Sequence, residues 1–312
     1  MDDGKNIEQL NREKASVARL SILSNLGLVI IKLATGILIG SISIISEAIH
    51  SGIDLVASTI AYISIKKSSE PPDLEHAFGH GKFENISGFI EALLIFAAAI
   101  IIIKEAYDKL VYGIVLEDVS IGIVVMLISA IANFIISEKL RRTAKRTDSI
   151  ALEADAWHLR TDVLSSACIF LGLVAIKITG IKVLDPIMAI AVALFILFAA
   201  LRLTVKSVRD LMDIKLPEEE EREIRRIIEK YSDEFIDYHD LRTRKAGSDR
   251  FVDLHLVVPK KLSVEAAHAL TDTIEDEIAR KYPRTSVIIH VEPCEVSGSC
   301  DVCDDECKKY GP

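Results

Sequence analysis

Over its first two thirds the chain alternates long apolar stretches with polar connections; then its period changes. Crossing a bilayer takes roughly 20 mostly apolar residues. Six stretches meet that length: 18–39, 41–65, 86–107, 119–137, 155–178 and 184–205. Each predicts a transmembrane helix, because a spanning segment must satisfy its own backbone hydrogen bonds. From 216 the pattern becomes that of a water-soluble domain. LPEEEEREIRRIIEKYSDEF has a proline start, an acidic first turn and Ile224, Ile227 and Ile228 at helical spacing. HDLRTRKAG and RFVDLHLVVP alternate like two antiparallel strands joined by a turn around Gly247. SVEAAHALTDTIEDEIARKY predicts a second amphipathic helix and TSVIIHVEP a third strand. The expected fold is thus an α-helical membrane protein with six transmembrane helices plus an α+β domain of order α-β-β-α-β, an open-faced sandwich. The expected divisions are an N-terminal arm (1–17), the six-helix domain (18–209), the α+β domain (210–293) and a Cys-rich acidic tail (294–312).

Composition agrees with this division. The chain of 312 residues is 50% hydrophobic with mean hydropathy +0.32, too apolar for an ordinary soluble enzyme of this length. Its net charge of −9 lies wholly from Asp210 onward, where 16 Lys and Arg face 25 Asp and Glu. An acidic domain disfavours nucleic acid and suits cations. The first 17 residues are polar and carry no signal-peptide pattern, so the first apolar span is expected to direct insertion. Lys and Arg concentrate in the N-terminal arm, in 66–85, in 138–154 and after the sixth span. The positive-inside rule then places both termini and the acidic domain in the cytoplasm of a multi-pass protein of the cell (inner) membrane.

The polar residues inside the apolar spans carry the candidate chemistry. Ionisable groups there cost about 2.5–3.5 kcal/mol each unless they are used. In SEAIHSGIDLVAS, His50 and Asp54 are four apart and share a helical face; ADAWHLRTDVLSS repeats the device with His158 and Asp162. Two neutral imidazoles and two carboxylates satisfy a tetrahedral dication and leave a formally neutral site. The competing reading is that each His is a polar spot on a helix–helix contact. In the 66–85 connection, Asp73, His76 and His80 form a His-x3-His pattern with an upstream Asp, able to hold Zn²⁺ or to be a plain polar loop. The remaining histidines, His239, His255, His268 and His290, all fall in the α+β domain beside acidic groups, and Glu292 shares a strand face with His290. In the tail, Cys300, Cys303 and Cys307, with Cys294 nearby, have soft-metal spacing; an acidic disordered tail is the alternative. Of the further polar residues within the spans, Glu91 and Asn133 are readable as proton relays or interhelical hydrogen bonds and Glu47, one turn before His50, as facing the cavity; Lys32 has no evident partner, and plain packing is the alternative for each.

The segments GSISIISEAIHSGIDL, HAFGHGKFE, EADAWHLRTDVLSS, HDLRTRKAG and IIHVEPC together resemble the cation diffusion facilitator family, in particular its bacterial zinc/iron-type metal–proton antiporters; the similarity spans about 15–294. The resemblance implies a cytoplasmic metallochaperone-like domain and a homodimer. It also implies a transport site at His50, Asp54, His158 and Asp162, a loop site at Asp73, His76 and His80, and a two-metal cytoplasmic site at His239, His255, His268 and His290 with Glu292 bridging. A charge interlock between Lys82 and Asp213 is implied as well. Two positions depart from the family pattern. Some relatives have Asp where His50 stands, and His there favours zinc over the harder Mn²⁺. Relatives often have Asp where Glu292 stands, and the tail is outside the pattern.

The function so implied is efflux of a divalent metal, zinc foremost with Cd²⁺, Fe²⁺ and Co²⁺ as alternative substrates, exchanged for protons by alternating access. Its partners are a second copy of the chain, the lipid bilayer, metal ions and protons; neither an enzyme activity nor nucleic acid is expected. The competing class is a non-transporting membrane metal sensor in which the same four ligands hold a structural zinc.

Overall fold

The computed structural model describes residues 3–39, 42–112, 120–180 and 183–294. It divides into two compact units, one of 9–211 and one containing 212–294 with the first residues of the chain. The larger unit consists of six long helices: α1 (Asp3–Ile39), α2 (Ile42–Ser68), α3 (Lys82–Tyr112), α4 (Ser120–Thr147), α5 (Ile150–Thr179) and α6 (Leu184–Leu211). Among the described residues, four stretches are long and apolar enough to cross a membrane: Ile7–Leu38, Ala48–Ser68, Lys82–Tyr112 and Pro186–Leu211. The helices overrun the apolar stretches at the polar ends. In particular α1 starts at Asp3, so the expected arm is part of a continuous helix.

The two larger buried clusters among the described residues organise this unit. Val17 and Ala18 of α1, Ile65 of α2, Ile136 and Leu140 of α4 and Leu152 and Leu159 of α5 form one. Ile95 and Ala99 of α3 pack on Ile196 and Ala200 of α6 to form the other. Around them the outward faces remain apolar, with Leu23, Ile63, Ile101 and Phe198 all exposed. A soluble bundle reverses this arrangement; here it leaves lipid as the solvent.

Polar contacts join the helices inside the unit. Asn25 of α1 donates to Ser58 of α2 at 2.6 Å, and Lys32 Nζ donates to Ser51 Oγ at 2.8 Å. At the end from which α3 starts, Lys14 Nζ lies 2.7 Å from Glu84 Oε1 with both side chains 1% exposed. Glu84 also accepts from Ser68 at 3.0 Å and from Ser149. One carboxylate in the first turn of α3 thereby ties α1, the end of α2 and the α4–α5 connection.

The smaller unit has the expected order, α7 (Glu218–Glu229), β1 (Asp237–Ala246), β2 (Asp249–Val258), α8 (Val264–Lys281) and β3 (Thr285–Pro293). Four glutamates occupy the first turn of α7, where they complement the helix dipole. Ser263 caps α8, its side chain accepting from Ala266 N–H at 3.1 Å. The β1–β2 turn needs two residues, since Ala246 pairs with Asp249; Gly247 takes φ +60°, which suits glycine there. The sheet order is β1-β2-β3, with β1–β2 antiparallel and β2–β3 parallel. Along β2, Val252, Leu254, Leu256 and Val258 are buried and meet Ile224, Ile228, Ile274 and Ile278 of the helices. The alternate residues, including His255, are on the opposite, open face.

Candidate metal sites in and beside the membrane domain

α2 and α5 bring the two His–Asp pairs together. His158 Nε2 lies 2.9 Å from Asp54 Oδ1, both side chains being almost fully buried, and His50 Nε2 lies 3.7 Å from Asp162 Oδ1. The pairing is thus crossed: each His faces the Asp of the other helix instead of its own i+4 neighbour. His50, Asp54 and Asp162 each place one ligand atom within 4.8 Å of the others, and His158 joins them through Asp54. Asn133 of α4 donates to Asp162 Oδ2 at 3.5 Å, which gives that residue an interhelical role. Lys32 of α1 donates to Ser51, the residue after His50 in α2. The set can bind a dication, or hold protons between imidazole and carboxylate when no dication is present. The exposure of His50, whose side chain is 47% accessible, leaves one edge of the site open.

Two buried acids near this site escaped the sequence reading in part. Asp155 is one turn before His158 and fully buried beside the Ser21 and Ser58 hydroxyls, with neither oxygen in a hydrogen bond of good geometry; Glu91 of α3 is likewise buried, with Ser87 3.3 Å from its Oε1. The spacing of Asp155 from His158 in ADAWH was the available signal. The side chain of Glu47 lies outside the described residues.

In the α2–α3 connection, Asp73 Oδ2 is 3.2 Å from His80 Nε2 and Asp73 Oδ1 is 3.5 Å from His76 Nδ1; the two rings are 4.6 Å apart. Backbone N–H groups of His76 and Glu75 donate to Asp73 at 2.6 and 2.9 Å, an Asx-type turn that sets the carboxylate between the rings. Those backbone donors, His76 first, hold the Asp73 carboxyl below the usual carboxylate range. Its charge therefore persists as pH falls, and is lost only below the ordinary carboxylate pKa. His80 is 2% exposed, and neither ring nitrogen has a hydrogen bond of good geometry. An imidazole left in that condition is suited to a metal. Asp73→Asn removes the charge while keeping the turn acceptor. Its expected outcome is loss of metal at this loop, at least tenfold in affinity, with the α3 start intact by circular dichroism.

In the smaller unit, sheet register aligns three histidines in a row: His239 opposite His255 and His255 opposite His290. Glu292 sits among them, with Oε1 2.9 Å from His255 Nδ1 and 3.8 Å from His290 Nε2, and Oε2 3.4 Å from His239 Nε2. A β-bulge between His239 and Arg242 turns Asp240 to φ +51°, and Asp240 joins His239 and His255 in a ligand group. Asp240 was missed because a residue adjacent to His239 should point to the other face; the bulge cancels that rule. His268 is set apart on α8, in the layer covering the core face, and pairs with Asp272 at 3.3 Å. Cys294 is buried at the end of β3, whereas Cys300, Cys303 and Cys307 lie outside the described residues. Lys82 Nζ is 3.4 Å from the Leu211 carbonyl, and Asp213 accepts from Arg244 at 3.2 Å.

A helical membrane domain whose polar core is two crossed His–Asp pairs, followed by a His-rich α+β domain, defines a metal-handling membrane protein. Residues 18–212 match the family model described as the cation efflux transmembrane domain, and 216–294 match the one described as the cytoplasmic domain of cation efflux proteins. The chain belongs to the cation diffusion facilitator family, whose members carry divalent cations out across membranes. Among similar proteins are the cation-efflux pump FieF of Escherichia coli O1:K1 / APEC and that of Yersinia pestis (strain Pestoides F). Each is 32% identical over 283 residues, covering 91% of this chain and 93% of the relative. A solved structure of CzrB in its Zn form is 40% identical, covers 25% of this chain and 90% of its own, and has a TM-score of 0.25.

Proposed function

We propose that this protein exports Zn²⁺ from the cytoplasm in exchange for protons, through a single site made by His50, Asp54, His158 and Asp162. The observation that supports this reading most is the crossed pairing between α2 and α5, with the buried His158 2.9 Å from Asp54. Metal binding needs both imidazoles unprotonated, so an incoming dication expels protons that the His–Asp contacts hold in its absence. Re-protonation from the far side releases the metal. Alternating access around this fixed set lets one site serve both ions. Two imidazoles in the donor set favour Zn²⁺ over Mn²⁺, with Cd²⁺, Fe²⁺ and Co²⁺ as secondary substrates.

In this reading all six helices span the cell membrane, both termini are cytoplasmic, and the protein works as a homodimer. The His239–His255–His290 row with Glu292 binds cytoplasmic metal and reports its concentration to the membrane domain. His268, on the other layer in one chain, completes a site only across a dimer seam. The loop ligands Asp73, His76 and His80 bind a further metal ion. Cys300, Cys303 and Cys307 hold soft metal in the tail, and removal of 295–312 is expected to lower the metal count without stopping transport. A sensor with structural zinc is the second reading, and the open edge at His50 weighs against it, because structural zinc sites are closed.

Calorimetric Zn²⁺ titration in buffers of different ionisation enthalpy tests the exchange at its root. The expected outcome near pH 6.5, around the ordinary histidine pKa, is release of on the order of one proton per metal ion at the membrane site. That release should shrink in His158→Ala. Binding with no proton released at any pH between 6 and 7 contradicts antiport through this site.

A further inference from the structure

On one flank of the membrane domain, α4, α5 and α6 enclose two adjoining cavities of about 300 and 460 Å³ that share Glu153, Trp157 and Lys206. Five cations and two carboxylates line the pair. Three of the cations are already engaged: Lys206 with Glu153 at 2.5 Å, and Arg141 and Arg160 with Glu138 at 2.7 and 2.8 Å. The other two are Arg202, whose guanidinium lies 4.4 Å from the centre of the Phe198 ring, and Lys145. Both are exposed, and among the described residues neither has an ion-pair partner.

The arrangement along α6 is directional. Leu194, Phe198, Arg202 and Lys206 follow one another at i+4 intervals and form one stripe. Leu194, Phe195 and Phe198 are about half exposed, on a helix whose outward face is apolar. Toward Leu211 the same stripe turns cationic, and Lys145 of α4 faces it across the second cavity. An apolar stretch ending in a basic pocket between membrane helices matches one ligand class in both shape and charge. We infer that this crevice binds an anionic phospholipid, with its acyl chains along Leu194, Phe195 and Phe198 and its phosphate at the cationic end, where Arg202 lines the first cavity and Lys145 the second. A free phosphate has no use for the apolar half. The cation cargo is repelled by the basic half, so the crevice is not its entry path.

The test is native mass spectrometry of the full-length protein in detergent micelles, supplied with phosphatidylglycerol or phosphatidylcholine at equal concentration. The expected result is at least tenfold preferential retention of phosphatidylglycerol, reduced to within twofold in Lys145→Ala/Arg202→Ala. The charge-matched control Lys66→Ala/Lys139→Ala, at exposed positions away from the crevice, keeps the preference. If the alanine pair does not fold, Lys145→Gln/Arg202→Gln gives the same readout with the side-chain bulk retained. Equal retention of the two lipids, or a preference unchanged in the crevice variants, overturns the proposal. So does full displacement of phosphatidylglycerol by millimolar glycerol phosphate, which would assign the pocket to a small soluble phosphate.

Discussion

Asp54→Ala is expected to abolish zinc transport, by at least 100-fold in initial rate, while leaving the protein folded. Asp54 is 3% exposed and is the residue at which the two helices meet, since its carboxylate is both a ligand of the three-residue group and the partner of His158. Removing it leaves three donors and strands the His158 ring, whose Nδ1 already has no hydrogen bond. A buried group deprived of its partner costs about 1–3 kcal/mol. Some loss of stability therefore accompanies the loss of flux, and the experiment must report both. Asp162→Ala is expected to act in the same direction. Proteoliposome flux, scored against protein shown to be monodisperse and helical, separates them from misfolding. An Asp54→Ala protein that transports at more than a tenth of the wild-type rate would move the site elsewhere.

The second large effect concerns stability. Lys14 and Glu84 are each 1% exposed and 2.7 Å apart, and Glu84 also holds Ser68 and Ser149. Breaking such a pair by removing one partner leaves a buried charge and costs about 3–5 kcal/mol, whereas replacing both by apolar groups is often near neutral. Glu84→Leu and Lys14→Met should therefore each unfold at markedly lower denaturant than wild type, and Lys14→Met/Glu84→Leu should recover most of the difference. A double-mutant cycle measured by denaturant titration in micelles reads this directly. Additive effects of the two single substitutions would show that the pair is not coupled. Because Glu84 is four residues after His80, the same clasp fixes the start of α3 against which the loop ligands are set.

Much of this architecture is legible in the sequence because bilayers and sheets impose simple periods. His50–Asp54 and His158–Asp162 stand out as rare polar residues at i, i+4 on apolar helices, and the α-β-β-α-β order follows from the change of period at 216. The crossed partnership of the pairs is a property of how α2 and α5 face each other, which no spacing along one helix records. Lys32 found its partner, Ser51, in the same way. The alignment of His239, His255 and His290 depends on β3 lying parallel beside β2 in one particular register. Asp240 depends on a bulge. Lys14 lies in the polar first 17 residues and Glu84 at the end of the 66–85 connection, and only packing shows that they are the most deeply buried ion pair of the membrane domain among those described.

Wild-type protein is reconstituted in sealed vesicles containing a zinc-sensitive dye, a pH gradient is imposed, and Zn²⁺ entry is followed before and after an ionophore collapses the gradient. Entry is expected to rise with the gradient and to fall at least tenfold on its collapse. Zinc entry indifferent to the gradient, or zinc bound without any entry by protein that is folded, would contradict antiport and favour a sensor that holds its metal in place.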